Sequence, residues 1–243
     1  MKLIGLQNRC DKLTQAMRSV RLAKALCIHR VLAGAEHRRV LDTQLATVVD
    51  IGANRGQFAL AVRQWAPQAD LIAFEPLPGP ASVFRSVFAN DDRVVLHEAA
   101  IGPQLSRCKM HVSARDDSSS LLPISSLQSK IFPGTAEVST IDVQVAPLDT
   151  FVSLEELHEP SLLKLDVQGF ELEALQGCES LLCGFGSIYC ECSFVELYSG
   201  QRLASDVIEW LAVRGFRING LYNPSYDSEG RSVQADILFS RAI

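Results

Sequence analysis

The chain has 243 residues, of which 47% are apolar, and its formal net charge is −5. A chain of this length and composition can bury one sizeable core, which excludes a disordered or fibrous protein. The negative net charge gives no reason to expect a nucleic-acid-binding protein. Seven cysteines without a Cys-x-x-Cys pair indicate free thiols in a reducing compartment, and we predict no metal site because their spacing matches no common zinc pattern.

The first 45 residues are the basic part of the chain, with nine Lys and Arg against three Asp and Glu. Apolar residues recur at near-helical spacing over residues 2–34, which predicts an amphipathic helix. This helix could pack over the domain or rest on an anionic membrane surface. Basic residues interrupt its apolar stretches, so it lacks the core of a signal peptide. We expect a cytoplasmic protein without a membrane-spanning helix, and the basic helix could make it peripheral at the inner membrane face.

From residue 47 onward, strand and helix patterns alternate along the chain. This alternation is typical of a doubly wound α/β fold with a mostly parallel sheet. Residues 223–230 are rich in turn formers, so the last two strands should pair antiparallel. The patterns predict strands at 47–51, 71–74, 94–97, 162–166, 187–192, 216–221 and 235–240, and helices at 57–65, 80–88, 170–175 and 204–214.

Residues 102–160 form an irregular insertion within this alternation. Two strands are expected there, at 109–113 and 140–145, and they are predicted to pair. The serine-rich stretch between them is long for a loop inside a compact domain, which favours a lid. We therefore predict a helical extension over residues 1–46 and a single domain over 47–243 that carries this insertion.

A glycine turn follows the first predicted strand, in the order Asp50-Ile-Gly52-Ala53-Asn54-Arg-Gly56. Such a turn exposes backbone N–H groups beside a helix N-terminus. The pattern is not Gly-x-Gly-x-x-Gly, which the pyrophosphate of a dinucleotide requires. Asp50 suits the ammonium group of a ligand that contains an amino acid, or it caps the turn.

A second acid, Glu75, ends the next predicted strand and is followed by Pro76. A carboxylate at that position can accept hydrogen bonds from both hydroxyls of a ribose. The alternative is a simple exposed acid at a strand end. Taken together with Asp50 and the glycine turn, Glu75 indicates an adenosine-binding site.

A further block, Leu-Lys-Leu-Asp166-Val-Gln-Gly169-Phe-Glu171, ends the fourth long strand. If this strand neighbours the first one, Asp166 and Asp50 meet where the strand order reverses, which is where open α/β sheets bind ligands. Asp166 could orient or deprotonate a hydroxyl group, or cap the following helix. Glu191, on the fifth long strand, is the second candidate base, and Glu171 is expected to cap or position.

These motifs resemble the FkbM-type family of class I S-adenosylmethionine-dependent methyltransferases. The resemblance covers about residues 47–240 and rests on the glycine turn, on Phe-Glu75-Pro, on the block around Asp166 and on the closing Ala-Asp-Ile-Leu-Phe at 235–239. It implies a Rossmann-like seven-stranded fold with S-adenosyl-L-methionine as cofactor. It also implies methyl transfer to a hydroxyl of a small molecule or glycan, such as a deoxysugar of a glycolipid or oligosaccharide.

The family's cofactor roles carry onto eight positions of this sequence. The glycine turn corresponds to the methionine end of the cofactor, and Glu75 to its ribose. Many class I enzymes bind adenine with an acid after the third strand. This sequence has alanine there, so the resemblance implies that backbone groups near Ala99 hold adenine. In chain order these positions are Asp50, Gly52, Ala53, Asn54, Gly56, Glu75, Pro76 and Ala99.

Two other classes of protein remain as alternatives. A NAD(P)-dependent oxidoreductase is disfavoured because the Gly-x-Gly turn and a Tyr-x-x-x-Lys pair are absent. A non-catalytic binding protein on the same fold is disfavoured because the acids and glycines are intact.

Overall fold

The computed structural model describes residues 19–42 and 44–241. Its strands are β1 Thr47–Ile51, β2 Asp70–Phe74, β3 Val94–His97, β4 Ala100–Ile101, β5 Ser106–Ser113, β6 Glu137–Ala146, β7 Ser161–Leu165, β8 Ser187–Ser193, β9 Phe216–Tyr226 and β10 Ser232–Arg241. Its α-helices are α1 Val20–Lys24, α2 Gln57–Trp65, α3 Pro78–Phe88, α4 Ser126–Ile131, α5 Glu171–Gly177 and α6 Ala204–Ala212.

Seven strands form one sheet in the order β3-β2-β1-β7-β8-β10-β9. Neighbouring strands are parallel except for β10, which is antiparallel to both β8 and β9. The predicted mostly parallel α/β sheet with an antiparallel last strand is confirmed. β9 is longer than predicted and continues to Tyr226, because register shifts let it follow β10 into the turn-rich segment.

The sheet order reverses between β1 and β7, which pair in parallel. Both strands are buried along their whole length because helices cover both faces of the sheet. Successive residues of β1 face opposite sides, so Val48 and Val49 enter separate apolar cores. The carboxyl ends of β1 and β7 therefore open together at the reversal point.

A second, three-stranded sheet contains the insertion strands in the order β4-β6-β5. β5 pairs antiparallel with β6, which confirms the predicted pairing and extends both strands beyond the predicted bounds. Part of the serine-rich segment between them is ordered, since Ser118–Ser120 are buried. The insertion thus packs onto the domain beside the carboxyl ends of the main sheet.

The N-terminal helix is shorter than predicted. Residues 2–18 of that prediction lie outside the described residues. α1 continues as a π-helical turn, Ala25–His29, and Arg30 then adopts a left-handed conformation with φ 57°. The prediction of helix up to residue 34 was wrong, because Val31 and Ala33 are buried from a non-helical segment and their spacing only imitated a helix.

A 3₁₀ turn, Ala35–Val40, follows this segment and packs against α2. Within the described ranges, the structure has no helix that is both long and apolar enough to cross a membrane. Membrane contact through residues 1–34 stays a prediction.

Candidate active site

A cavity of about 430 Å³ lies at the carboxyl ends of β1, β2 and β7. This volume is within the usual range for small-molecule sites. The wall is formed by the main sheet and its turns, by the insertion and by the 3₁₀ turn at residues 35–40. The polar side chains of the wall are Glu36, His37, Asn54, Gln57, Glu75, Arg115, Asp116, Asp117, Ser119, Lys164, Asp166 and Gln168.

The carboxylate of Glu75 is held by two backbone N–H groups, one from the glycine turn and one from the segment after β2. Its Oε2 accepts a hydrogen bond from the N–H of Asn54 at 2.8 Å, and its Oε1 accepts one from the N–H of Leu77 at 2.8 Å. Burial raises the pKa of Glu75 to about 7, against these two hydrogen bonds. Each oxygen keeps a second acceptor position, so the carboxylate can still receive two hydroxyl groups. Glu75 is buried, and the alternative of an exposed strand-end acid was wrong.

The glycine turn needs glycine for space as well as for conformation. Gly52 has φ +84°, and a Cβ there would overlap the carbonyl oxygen of Asp166. Gly56 has φ +94°, and a Cβ there would meet the rings of Phe84 and Phe88. The turn can therefore lie directly against the end of β7 and against α3.

Asp50 is fully buried and lies opposite Lys164 in the register between β1 and β7. Its Oδ1 is 3.2 Å from Nζ of Lys164, which also donates a hydrogen bond to the carbonyl oxygen of Gly52 at 3.3 Å. Burial raises the pKa of Asp50, against the opposing charge of Lys164. No backbone N–H of the described residues donates a hydrogen bond to either carboxylate oxygen, so the alternative that Asp50 caps the turn was wrong.

Lys164 joins Asp50 to the cavity wall. Its Nζ is 3.6 Å from Oδ2 of Asp166, and its side chain is only 6% exposed. Burial opposes the charge of Lys164, but the negative charges of Asp50 and Asp166 outweigh burial and raise its pKa. The ammonium group is therefore permanently charged between the two carboxylates.

Gln168 connects the two candidate bases. Its side-chain Nε2 donates to Oδ1 of Asp166 at 2.8 Å and to Oε2 of Glu191 at 2.9 Å, while its Oε1 accepts from the hydroxyl of Tyr198 at 2.7 Å. Asp166 lines the cavity and its side chain is 37% exposed. Glu191 does not line the cavity, and its other oxygen accepts from Nε2 of Gln234. Burial and the nearby charge of Asp166 raise the pKa of Glu191.

Glu171 caps the turn that follows β7. Its Oε1 accepts hydrogen bonds from the N–H groups of Val167 and Gly169. Burial raises the pKa of Glu171 to about 7. The N-cap residue of α5 is Phe170, so the alternative that Asp166 caps this helix was wrong, and the positioning role expected of Glu171 fits its hydrogen bonds.

The structure brings most of the predicted cofactor positions to one cavity. Those on its wall are Gly52, Ala53, Asn54, Glu75, Pro76 and Ala99. Asp50 and Gly56 lie behind the wall, where they support Lys164 and the turn. Ala99 is 2% exposed, and together with Ala100 and Ile101 it forms an apolar part of the cavity wall.

The sequence analysis assigned a role to only three of the twelve polar wall residues, and Lys164, Gln168 and His37 are the unassigned ones that matter most for the site. Lys164 had a signal, since a charged residue inside a fully buried strand requires a partner. Gln168 lay within the recognised block but was given no role. His37 had no signal, because its partners come from strands about 150 residues further along the chain.

One ion pair joins the cofactor side of the cavity to the insertion. Arg55, within the glycine turn, donates from Nε and Nη2 to Oδ2 of Asp116 at 2.8 and 2.5 Å. The two side chains are 42% and 27% exposed. This contact holds the segment after β5 over the cavity.

Comparison with known proteins finds methyltransferases. The family model described as "Methyltransferase FkbM domain" matches residues 50–218. The chain is 30% identical over 205 residues to the 2-O-methyltransferase NoeI of Sinorhizobium fredii (strain NBRC 101917 / NGR234), covering 82% of each chain. It is 28% identical over 148 residues to Methyltransferase 1 of Beauveria bassiana (strain ARSEF 2860), covering 54% of this chain and 58% of that protein.

Solved structures with a similar arrangement are more distant in sequence. An rRNA methylase from Streptococcus thermophilus is 12% identical, with a TM-score of 0.43 and coverage of 85% of this chain and 92% of that one. Precorrin-6y C5,15-methyltransferase from Geobacter metallireducens GS-15 is 13% identical, with a TM-score of 0.44 and coverage of 84% and 82%.

Proposed function

The chain belongs to the FkbM methyltransferase family, and from this premise we propose that it transfers the methyl group of S-adenosyl-L-methionine to a hydroxyl group of a sugar. The methyltransferase activity and the cofactor follow from the family. The sugar acceptor is the proposal. We take it to be a deoxysugar of a glycolipid or oligosaccharide, as the resemblance implies.

The residues of the cavity fit the cofactor. The two free acceptor positions of Glu75 suit the ribose hydroxyls, and the apolar stretch around Ala99 suits adenine. Ala53 and Asn54 bring the backbone of the glycine turn to the cavity wall, where it suits the methionine end of the cofactor. Lys164 supplies a fixed positive charge there, so Asp50 acts on the ligand through Lys164.

The observation that carries the proposal is the polar wall of the cavity beyond the cofactor residues. Asp166 and Gln168, which follow β7, line the cavity together with Arg115, Asp117 and Ser119 of the insertion. A ligand that satisfies so many donors and acceptors needs several hydroxyl groups, as a sugar has. The name of the relative NoeI, a 2-O-methyltransferase, supports oxygen as the methylated atom.

The cofactor supplies an electrophilic methyl carbon on a sulfonium when it is bound. The protein's part is to hold the acceptor oxygen in line with that carbon, and such positioning supplies roughly 7–11 kcal/mol. Asp166 is placed to accept a hydrogen bond from an acceptor hydroxyl, and Gln168 fixes the Asp166 carboxylate. Glu191 supports Gln168 from behind the wall and reaches the acceptor only through it. The insertion, held down by Arg55 and Asp116, keeps water out.

A methyl-transfer screen tests the proposal. The protein is incubated with methyl-labelled S-adenosyl-L-methionine and separate panels of deoxysugar glycosides, phenols, amines and nucleosides. Label on a sugar oxygen, located by mass spectrometry and NMR, is the expected result. Transfer only to phenols, amines or nucleosides would overturn the proposed sugar acceptor while leaving the methyltransferase activity in place.

A further inference from the structure

His37 faces the same cavity from the N-terminal 3₁₀ turn, and the function proposed above gives it no role. It lies among aromatic side chains, with Phe58 and Tyr189 packed edge-on at centroid distances of 5.2 and 5.6 Å. Its side chain is 16% exposed, and Glu36 beside it also lines the cavity.

The hydrogen bonds of Tyr189 determine which nitrogen of His37 carries the proton. The hydroxyl of Tyr189 donates to Oδ2 of Asp236 at 2.7 Å, and Asn223 donates to the same carboxylate oxygen at 2.7 Å. Tyr189 has a single proton, so towards His37 its oxygen can only accept. With the Asp236 carboxylate ionised, Nδ1 of His37, 3.1 Å away, is therefore the N–H of this contact.

The tautomer leaves Nε2 of neutral His37 with a free lone pair. Nε2 lies 3.9 Å from Oε1 of Glu36, which is beyond hydrogen-bond distance but close enough to stabilise a positive charge on the ring. The arrangement is a carboxylate, a phenol and an imidazole in series, ending at a basic nitrogen. A histidine held in this way is suited to general base catalysis.

We propose that His37 is the general base of the reaction, taking the proton of the acceptor hydroxyl on Nε2, and that Tyr189 and Asp236 are positioning residues that fix its tautomer. This inference rests on the proposed hydroxyl acceptor. The O–H bond of the acceptor breaks and its proton passes to Nε2. The oxygen bonds to the methyl carbon, whose bond to sulfur breaks with its electron pair left on sulfur. A methyl ether, a thioether and an imidazolium result.

The charges around the site favour His37 over Asp166 as the proton acceptor. Oδ1 of Asp166 accepts a hydrogen bond from Gln168 and its Oδ2 lies 3.6 Å from Nζ of Lys164, so both oxygens already face a donor. Asp166 then orients the hydroxyl while His37 removes the proton.

The pKa of His37 reflects the groups that face it from four elements. Burial lowers this pKa, and Lys164 of β7 lowers it further. Asp236 of β10, the adjacent Glu36 and Asp166 act in the opposite direction, and Tyr189 of β8 stays protonated because burial and Asp236 raise its own pKa. The imidazole is therefore neutral at pH 7 and ready to accept a proton.

The test combines a pH profile with a direct reading of the tautomer. Single-turnover methyl transfer to the sugar found in the screen is measured at saturating S-adenosyl-L-methionine from pH 5 to 9 for the wild type, His37→Gln and the exposed control His158→Gln. A protonated His37 cannot accept a further proton. The wild-type and control rates should therefore fall about tenfold per pH unit below the pKa of His37, which lies under the usual value of about 6.5. His37→Gln should be slower by about 10²–10⁴-fold and should lose this acid limb.

Nitrogen-15 NMR of the histidine side chains provides the second readout, without cofactor or acceptor. The signals of His37, assigned by their loss in His37→Gln, should show a proton on Nδ1 and none on Nε2 at pH 7.5. Asp236→Asn should shift the proton towards Nε2 and slow transfer, although every ring stays in place. A proton on Nε2 in the wild type would overturn the proposal.

Calorimetry with S-adenosylhomocysteine separates the two ways of failing. If His37→Gln binds this ligand normally and transfers methyl at the wild-type rate with an unchanged profile, His37 is not the base and the sugar methyltransferase stands. If the wild type methylates no sugar, the proposed function and the base fall together. If His37→Gln does not fold, Asp236→Asn with Tyr189→Phe decides, and wild-type rates in both would overturn the positioning role.

Discussion

Lys164 and Asp50 are direct neighbours across the pairing of β1 and β7, and their charged groups meet at 3.2 Å in a fully buried position. The pair lies where the strand order of the sheet reverses, directly beneath the cavity. Lys164 is the member that reaches the cavity wall, since its Nζ also contacts Gly52 and Asp166. A single ion pair therefore links the two central strands, the glycine turn and the carboxylate of Asp166.

Lys164→Met should lower the free energy of unfolding at pH 7 by about 3–5 kcal/mol, because it leaves the Asp50 carboxylate buried without its cation. Burial already raises the pKa of Asp50, and loss of Lys164 would raise it further. A carboxyl whose pKa is higher in the folded state than in the unfolded state destabilises the fold progressively as the pH rises from the lower of these pKa values to the higher one. The loss should therefore shrink as the pH falls from 7 to 5. Urea denaturation at both pH values measures it.

The control for this substitution is Lys109→Met. Lys109 pairs with Asp142 at 3.6 Å, but both side chains are more than 60% exposed. Exposed pairs contribute about 0–1 kcal/mol, so this variant should be nearly as stable as the wild type at either pH. Equal losses in the two variants would contradict a special role for the buried pair.

Glu75→Ala should weaken the binding of S-adenosylhomocysteine by roughly 10- to 150-fold, since hydrogen bonds to a charged group contribute about 1.5–3 kcal/mol. Isothermal titration calorimetry measures this affinity. Glu179→Ala serves as the control, because that carboxylate is exposed and pairs with Arg214 away from the cavity. Unchanged affinity in Glu75→Ala would remove this residue from the cofactor site.

Binding of the cofactor should release protons near neutral pH. With a pKa of about 7, Glu75 is about half protonated in the free protein at pH 7. Hydroxyl donors favour its ionised form, so ligand binding lowers this pKa and expels about half a proton at pH 7. Affinity should accordingly rise from pH 6 to pH 8. Calorimetry at pH 7 in buffers of different ionisation enthalpy measures the release, and Glu75→Gln should abolish it. A binding heat independent of buffer in the wild type would contradict this prediction.

Asp166→Asn should lower kcat by about a hundredfold while cofactor affinity stays close to that of the wild type, because a misplaced acceptor costs about that much. Steady-state kinetics with calorimetry on the same preparation separates the two effects. Asp142→Asn, exposed on the insertion, is the matched control. A parallel loss of turnover and affinity would instead make Asp166 a cofactor or folding residue.

Asp116→Asn should speed dissociation of the cofactor severalfold, since it breaks the ion pair with Arg55 that holds the insertion to the glycine turn. The pair is partly exposed, so stability should change by less than about 1 kcal/mol. Stopped-flow dissociation and hydrogen exchange over residues 113–120 measure the effect. Asp142→Asn is the control, because Asp142 pairs with Lys109 on the insertion and does not line the cavity. The same dissociation rate in both variants would show that the ion pair between Arg55 and Asp116 does not keep the insertion over the cavity.

Much of the sheet could be predicted from the sequence because its signals are local. The bounds of α2 and of β1 match the predicted ones, since apolar spacing and the flanking glycine turn leave little choice. The site acids Glu75 and Asp166 were found because each ends a buried strand. Their partners were harder to predict. The hydrogen bonds that hold Glu75 come from the backbone N–H groups of Asn54 and Leu77, and backbone donors leave no mark in the sequence.

The N-terminal segment shows where local patterns fail. Its apolar residues are buried as expected, but after Arg30 they are buried from an irregular segment, so periodicity mistook tertiary burial for helix. His37 enters the cavity only because this segment packs against α2 and against strands β8 and β10. Contacts across about 150 to 200 residues of chain are set by the whole fold, and a single sequence does not reveal them.

The central claim is that this cavity binds S-adenosyl-L-methionine through Glu75 for methyl transfer. The most direct test is calorimetric titration of the wild type and Glu75→Ala with S-adenosyl-L-methionine, S-adenosylhomocysteine, NAD and NADP. Binding of the two sulfur ligands alone, weakened in the variant, is the predicted result. Binding of NAD or NADP to the wild type, or equal binding of the sulfur ligands to both proteins, would contradict the account.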